Sequence, residues 1–208
     1  MANYLHKGDL PADVVFKGAV AVDTEAMGLN NLRDKLCLVQ LSDGHGDAHL
    51  VQPDRETYDA PNLKKLLSDE TVEKLFHFAR FDVSIIYHYL GVWTKPIYCT
   101  KIASRLTRTY TDSHGLKDLC HELLGKKMSK QQQSSDWGAE DLTKDQIQYA
   151  ASDVLYLHEL KEKLDEMLVR EGRVEIAKKC FDFMDTRAQL DLLGWDNEDI
   201  FSHSTKRS

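Results

Sequence analysis

The chain has 208 residues, 42% of them hydrophobic and 29% charged, with a formal net charge of −7 at pH 7. That length suits one α/β domain with a sound core, and no apolar run approaches the roughly 20 residues that span a bilayer. The acidic balance argues against a broad basic track for long nucleic acids, and two bound divalent cations would still leave it acidic.

Cys37, Cys99, Cys120 and Cys180 lie far apart without a CxxC pair, and no charged, apolar, small-residue leader opens the chain. Neither a disulfide framework nor export is expected, so the reading is a cytoplasmic protein with no membrane role.

In chain order, GAVAVDTEAM reads as a first strand, CLVQLSD as a second after the loop GLNNLRDK, and DAHLVQP as a third after DGHG. These three form a meander. PNLKKLLSD, with Pro61 near its start, predicts a helix; KLFHF predicts a strand; Phe81 through Tyr89 predicts another helix. Beyond this β-β-β-α-β-α order, TKIASRL and GLKDLCHELLG have helical periodicity. One long helix is expected from Thr143 to about Arg170, opened by a Thr143/Gln146 capping box, and a last one from Val174 to Leu193. The stretch KKMSKQQQSSDWG has no period and reads as a loop, its glutamine amides either solvated or touching nucleic acid. The whole is expected to be one domain over 1–208, with a core at about 18–170 and a C-terminal helix and tail at about 171–208.

Four carboxylates stand out. Asp23 and Glu25 are two apart on a strand and project from one face, with Thr24 directed to the other. Asp82 opens a helix, and Asp153 lies on a later helix with Tyr149 one turn before it. The apolar set Ala150, Val154, Leu157, Leu160, Leu164 and Leu168 buries that helix while Tyr149 and Asp153 face the cluster. Any one of these acids alone is an ordinary cap or solvated charge; together they repel unless divalent cations relieve them. Oxygen ligands suit Mg²⁺ or Mn²⁺, and a pair of such ions about 3.5–4 Å apart serves phosphodiester hydrolysis.

The DTE after an apolar strand, the FD that opens a helix and the YAASD run resemble the three motifs of the DEDDy 3′→5′ exonucleases, RNase D branch. HGLKDLCHELLG, SDW and LTKDQIQYAASDVLYL extend the resemblance over roughly Gly18 to Leu168. Gln148 stands where a DEDDh enzyme has histidine, which selects the tyrosine subclass. One departure is His77-Phe78-Ala79, where members of the family often carry His-Asn-Ala.

The resemblance implies an RNase H-like (DnaQ-like) fold, a mixed central sheet flanked by helices, and two catalytic divalent cations. Asp23, Glu25 and Asp153 would hold the first, Asp23 and Asp82 would reach the second, and Tyr149 would orient the attacking water. Within the branch, the short chain and acidic charge look most like the short bacterial nanoRNases, ring-like homo-oligomers, octamers among them, that cleave dinucleotides and other very short RNA. On that reading Leu29 sits at the mouth of the site as a wedge between bases, with Met27, Gly28 and His77 as further substrate contacts. The 5′ phosphate would be capped by groups of TKIASRLTRTY or of the loop after Met128.

A broader exonuclease that trims tRNA 3′ ends, longer RNA or DNA is the alternative enzyme. A non-catalytic nucleic-acid-binding protein is the alternative of another class, disfavoured by five intact site residues. His45 and His49 are expected to be structural or solvated, and Trp137 to anchor its loop. Phe181, Met184, Leu190, Leu193 and Trp195 are expected to pack on the core or on a neighbouring subunit.

Overall fold

The computed structural model describes residues 2–128 and 135–203. One six-stranded mixed sheet organises it, in the order β1-β4-β3-β2-β5-β6. β2 (Ala19–Ala26), β3 (Leu36–Ser42) and β4 (Ala48–Gln52) are the expected antiparallel meander. Two strands were not expected: β1 (Asn3–Lys7), which pairs parallel to β4, and β6 (Ile97–Cys99), which pairs parallel to β5 (Glu73–Phe76). Every residue of β3 is buried, as suits a strand in the middle of a sheet covered on both faces.

The helices flank this sheet: α1 (Pro61–Ser68) with Pro61 in its first turn, α2 (Ala79–Leu90), α3 (Thr100–Thr107) and α4 (Leu116–Leu124). The expected long helix is in fact two, α5 (Lys144–Leu155) and α6 (Leu157–Arg170), broken at Tyr156. The break lets α5 lie on the β1–β4 half of the sheet while α6 turns to pack on α3. The capping box is present: Gln146 N–H donates to Thr143 Oγ1 (3.2 Å), and Thr143 N–H donates to Gln146 Oε1 (2.8 Å). Such a cap stabilises a helix by about 1 kcal/mol, and here it fixes the start of the helix that carries Tyr149 and Asp153.

The last expected helix is also divided, into α7 (Val174–Asp182) and α8 (Met184–Leu190), followed by a wide turn over Asp191–Trp195. Phe181 and Met184 join the core, Phe181 lying 4.7 Å from the Tyr98 ring. Leu193 and Trp195 remain exposed. Asp191 ties this turn back to α2 through two bonds from Arg80 (2.6 and 2.7 Å) and a further pair from Arg187. Among the described residues no helix is long and apolar enough to cross a membrane.

Candidate active site

β2 runs through the centre of the sheet, and its C-terminal end delivers Asp23 and Glu25 to an open cleft of about 340 Å³. α5 crosses the same end of the sheet and adds Asp153 and Tyr149. Ligand oxygens of Asp23, Glu25 and Asp153 lie within 4.8 Å of one another. Tyr149 stands one helical turn before Asp153, with its phenol beside that carboxylate, as the spacing required.

Asp82 is placed differently. It lies in the first turn of α2, is 3% exposed, and is not part of the set whose oxygens share that 4.8 Å space. Its Oδ1 instead accepts a 2.6 Å bond from Thr24 Oγ1. Thr24, expected to be directed away from the cluster, therefore serves it through Asp82. Strand alternation sets where Cβ points, but α2 begins close enough to β2 for the hydroxyl to reach the carboxylate.

The electrostatics are those of a site built for cations. Desolvation pushes Asp23 up to about 7. Desolvation, reinforced by Asp23, Asp153 and Asp82, pushes Glu25 up to about 10. Asp153 rises to about 8 by desolvation and by Asp23, against the opposing bond from Tyr149, and Asp82 rises for the first two reasons. No lysine or arginine pairs with these four groups among the described ion pairs. Clustered carboxylates that no described ion pair neutralises, and oxygen ligands only, fit a hard divalent ion. Tyr149 is itself raised, by desolvation first and Asp153 next, so its phenol stays neutral.

Several neighbours were not legible from sequence. Gln40 is Asp23's cross-strand partner, fully buried, and its Nε2 donates to Asp23 Oδ2 at 3.4 Å while Oε1 has no partner among the described residues. A glutamine in the otherwise apolar CLVQL was the available signal. Lys101 and Lys117 line the cleft beside the acids, two cations suited to substrate phosphates. Trp137 is buried with its ring 6.1 Å from Tyr149, so it anchors its loop as expected, and Arg55 Nη1 holds that loop through Gly138 O (2.6 Å).

The suggested substrate residues are scattered. His77 does line the cleft, but its Nδ1 is engaged with Thr100 Oγ1 (2.9 Å), and desolvation lowers it to about 3, leaving a neutral ring. Leu29 is 90% exposed and lines a neighbouring groove of about 520 Å³ instead of the carboxylate cleft. Met27 is exposed beside Gly138. Gly28 has a structural reason: a Cβ there would meet Asp34 Oδ2 at 2.2 Å, and Asp34 holds the turn by accepting from Asn30 N–H (3.0 Å). His49 stacks between Tyr4 and His6, as a structural histidine, and His45 is exposed. The QQQ run and the loop just after Met128 lie outside the described residues.

The family described as 3′–5′ exonuclease matches residues 9–169. The chain belongs to that family. The exonuclease profile thus spans every acid of the cluster, and the mixed sheet with flanking helices is the DnaQ-like architecture of RNase D-type enzymes. Ribonuclease D of Nitrobacter hamburgensis is 33% identical over 178 residues, covering 81% of this chain and 46% of its own length. The chain therefore spans under half the length of that curated relative. Brucella melitensis NrnC superposes with a TM-score of 0.95 at 54% identity, over 98% of this chain and 100% of that one. That protein is also known with bound Mg²⁺ and bound to pGG. Escherichia coli RNase D superposes with a TM-score of 0.73 at 28% identity, over 83% of this chain and 45% of that one.

Proposed function

We propose that this exonuclease is a metal-dependent 3′→5′ exoribonuclease that hydrolyses short oligoribonucleotides, dinucleotides especially, to 5′-mononucleotides. The observation that carries the reading is the convergence of Asp23, Glu25 and Asp153 in a small cleft that Lys101 and Lys117 also line. The likeness to NrnC over its whole length supports the preference for short RNA. Asp23, Glu25 and Asp153 would hold one divalent cation, Mg²⁺ or Mn²⁺, and Asp23 with Asp82 would serve a second. Such cations would supply charge neutralisation at the phosphate and a lowered pKa for the attacking water.

The remaining roles belong to side chains. Water attacks the phosphorus, the bond to the 3′ oxygen of the preceding nucleotide breaks, and that oxygen leaves with a proton. Tyr149, neutral and fixed by Asp153 on one side and Trp137 on the other, orients the water without deprotonating it. Lys101 and Lys117 hold phosphate oxygens. Tyr149→Phe is expected to lower kcat about 10²-fold while leaving the thermal stabilisation by Mg²⁺ intact, because no cation ligand is lost. Single-turnover rates and melting curves on the same preparations measure both.

The whole chain acts as one exonuclease unit in the cytoplasm. It assembles as a homo-oligomer, a ring-like octamer on the nanoRNase reading, for which the exposed Leu193, Trp195, Ile200 and Phe201 supply apolar surface. A wider trimming activity on longer RNA or DNA is the second reading, favoured by the identity to ribonuclease D. Purified protein with 5′-labelled RNAs of two to about ten nucleotides, in Mg²⁺ or Mn²⁺ with a chelator control, separates the two. Faster loss of the dinucleotide supports the short-RNA reading. Ladders that stall above the dimer overturn it in favour of trimming.

A further inference from the structure

Among the described residues two that are not glycine adopt left-handed backbone, Tyr58 (φ 48°) and Phe78 (φ 70°). For a bulky side chain this conformation costs on the order of 1–3 kcal/mol and persists only where something offsets it. At Tyr58 the offset is visible. Its ring is buried against Tyr89, with centroids 4.9 Å apart, and its phenol donates to Leu36 O at 2.9 Å. Phe78 is not buried in this way. The residue is 45% exposed and stands just before α2, at a position where asparagine would adopt the same backbone with less strain.

The place of this ring is informative. Phe78 lines both the carboxylate cleft and the 520 Å³ groove beside it, so it forms part of the wall between them. Lys101 Nζ lies 4.4 Å from the ring centroid, and Lys101 also lines the cleft. An aromatic ring supported by a cation, at the junction of two cavities next to a phosphodiester-cleaving centre, has the chemistry of a nucleobase platform.

We propose that Phe78 is a substrate-positioning residue whose ring stacks on a base flanking the scissile phosphate. Binding of the base covers the contact area that the free protein leaves exposed. The inference rests on the exonuclease reading for the identity of its ligand, but its test does not depend on turnover.

The probes are 5′-phosphorylated RNA dinucleotides with 2-aminopurine at the first or the second position, and a decanucleotide with the same base at either of its last two positions. Stacking on an aromatic ring quenches this base. Titrations in Ca²⁺ at low temperature, with the probe checked for intactness afterwards, give quenching and Kd together. Wild type and Phe78→Tyr are expected to quench at least one position. Phe78→Asn is expected to lose that quenching and bind about 10- to 100-fold more weakly, with a melting temperature equal to or above that of wild type, since asparagine relieves the left-handed strain. Quenching and affinity unchanged in Phe78→Asn overturn the proposal. So does a loss of binding accompanied by a lower melting temperature, which would mark Phe78 as structural. Hydrolysis of the same RNAs in Mg²⁺ tests the function separately: a wild type that quenches the probes but cuts none of them overturns the exonuclease reading and leaves the stacking assignment standing.

Discussion

Asp153→Asn is expected to abolish turnover, by about 10³-fold or more, while making the metal-free protein more stable. The loss follows from removing one of three carboxylates whose oxygens share a single 4.8 Å space. About 4 kcal/mol of transition-state stabilisation corresponds to that factor. The gain follows from the same geometry. Asp153 is raised by desolvation and by Asp23, and it in turn raises Glu25, so in the absence of a cation its charge opposes folding. An amide keeps the shape and removes the repulsion. At pH 8 with chelator the stabilisation should be on the order of 1–3 kcal/mol. Single-turnover hydrolysis and thermal melts decide the matter: activity near wild type would remove Asp153 from the site, and a destabilised variant would mean that its role is structural.

The acids could be read from the sequence because two local periodicities place them. Asp23 and Glu25 share a strand face, Tyr149 and Asp153 share a helix face, and neither needs knowledge of the rest of the fold. What remained hidden depends on partners distant in sequence. β1 is an edge strand of half-exposed residues without alternation, defined by pairing with β4 some forty positions later, and β6 is three buried residues that only the neighbouring β5 makes a strand. The break between α5 and α6 falls inside an unbroken apolar pattern, since Leu155 and Leu157 are both buried on either side of Tyr156. Gln40 and Thr24 become site residues through cross-strand register and the approach of α2, and Phe78 becomes notable through a backbone angle. Leu29, a motif neighbour in sequence, lines the groove that adjoins the cleft at Phe78.

Linkage between protons, cation and folding gives the second large effect. In the unfolded chain the four carboxylates titrate near pH 4. In the folded, metal-free protein Asp23 titrates near 7, Asp153 near 8 and Glu25 near 10, and Asp82 is also raised. The native state therefore holds protons that the unfolded chain has released, and its stability falls as pH rises toward those folded values. His77 acts oppositely. Desolvation lowers it to about 3, so below about pH 6.5 the unfolded chain takes up a proton that the native ring refuses, and stability falls toward acid. His6, His49, His114 and His158 are shifted in the same direction. From pH 6.5 to 8 the carboxylates dominate, each titrating group contributing up to about 1.4 kcal/mol per pH unit. Melting temperature in chelator should accordingly decline from pH 6.5 to pH 8. Mg²⁺ binds the deprotonated set, so its stabilisation must grow with pH over the same interval and offset the decline. Asp153→Asn should flatten the chelator curve and shrink the Mg²⁺ increment together, because both arise from one cluster. An increment independent of pH, or a chelator curve that climbs from pH 6.5 to 8, would mean that these acids neither repel one another nor share a cation.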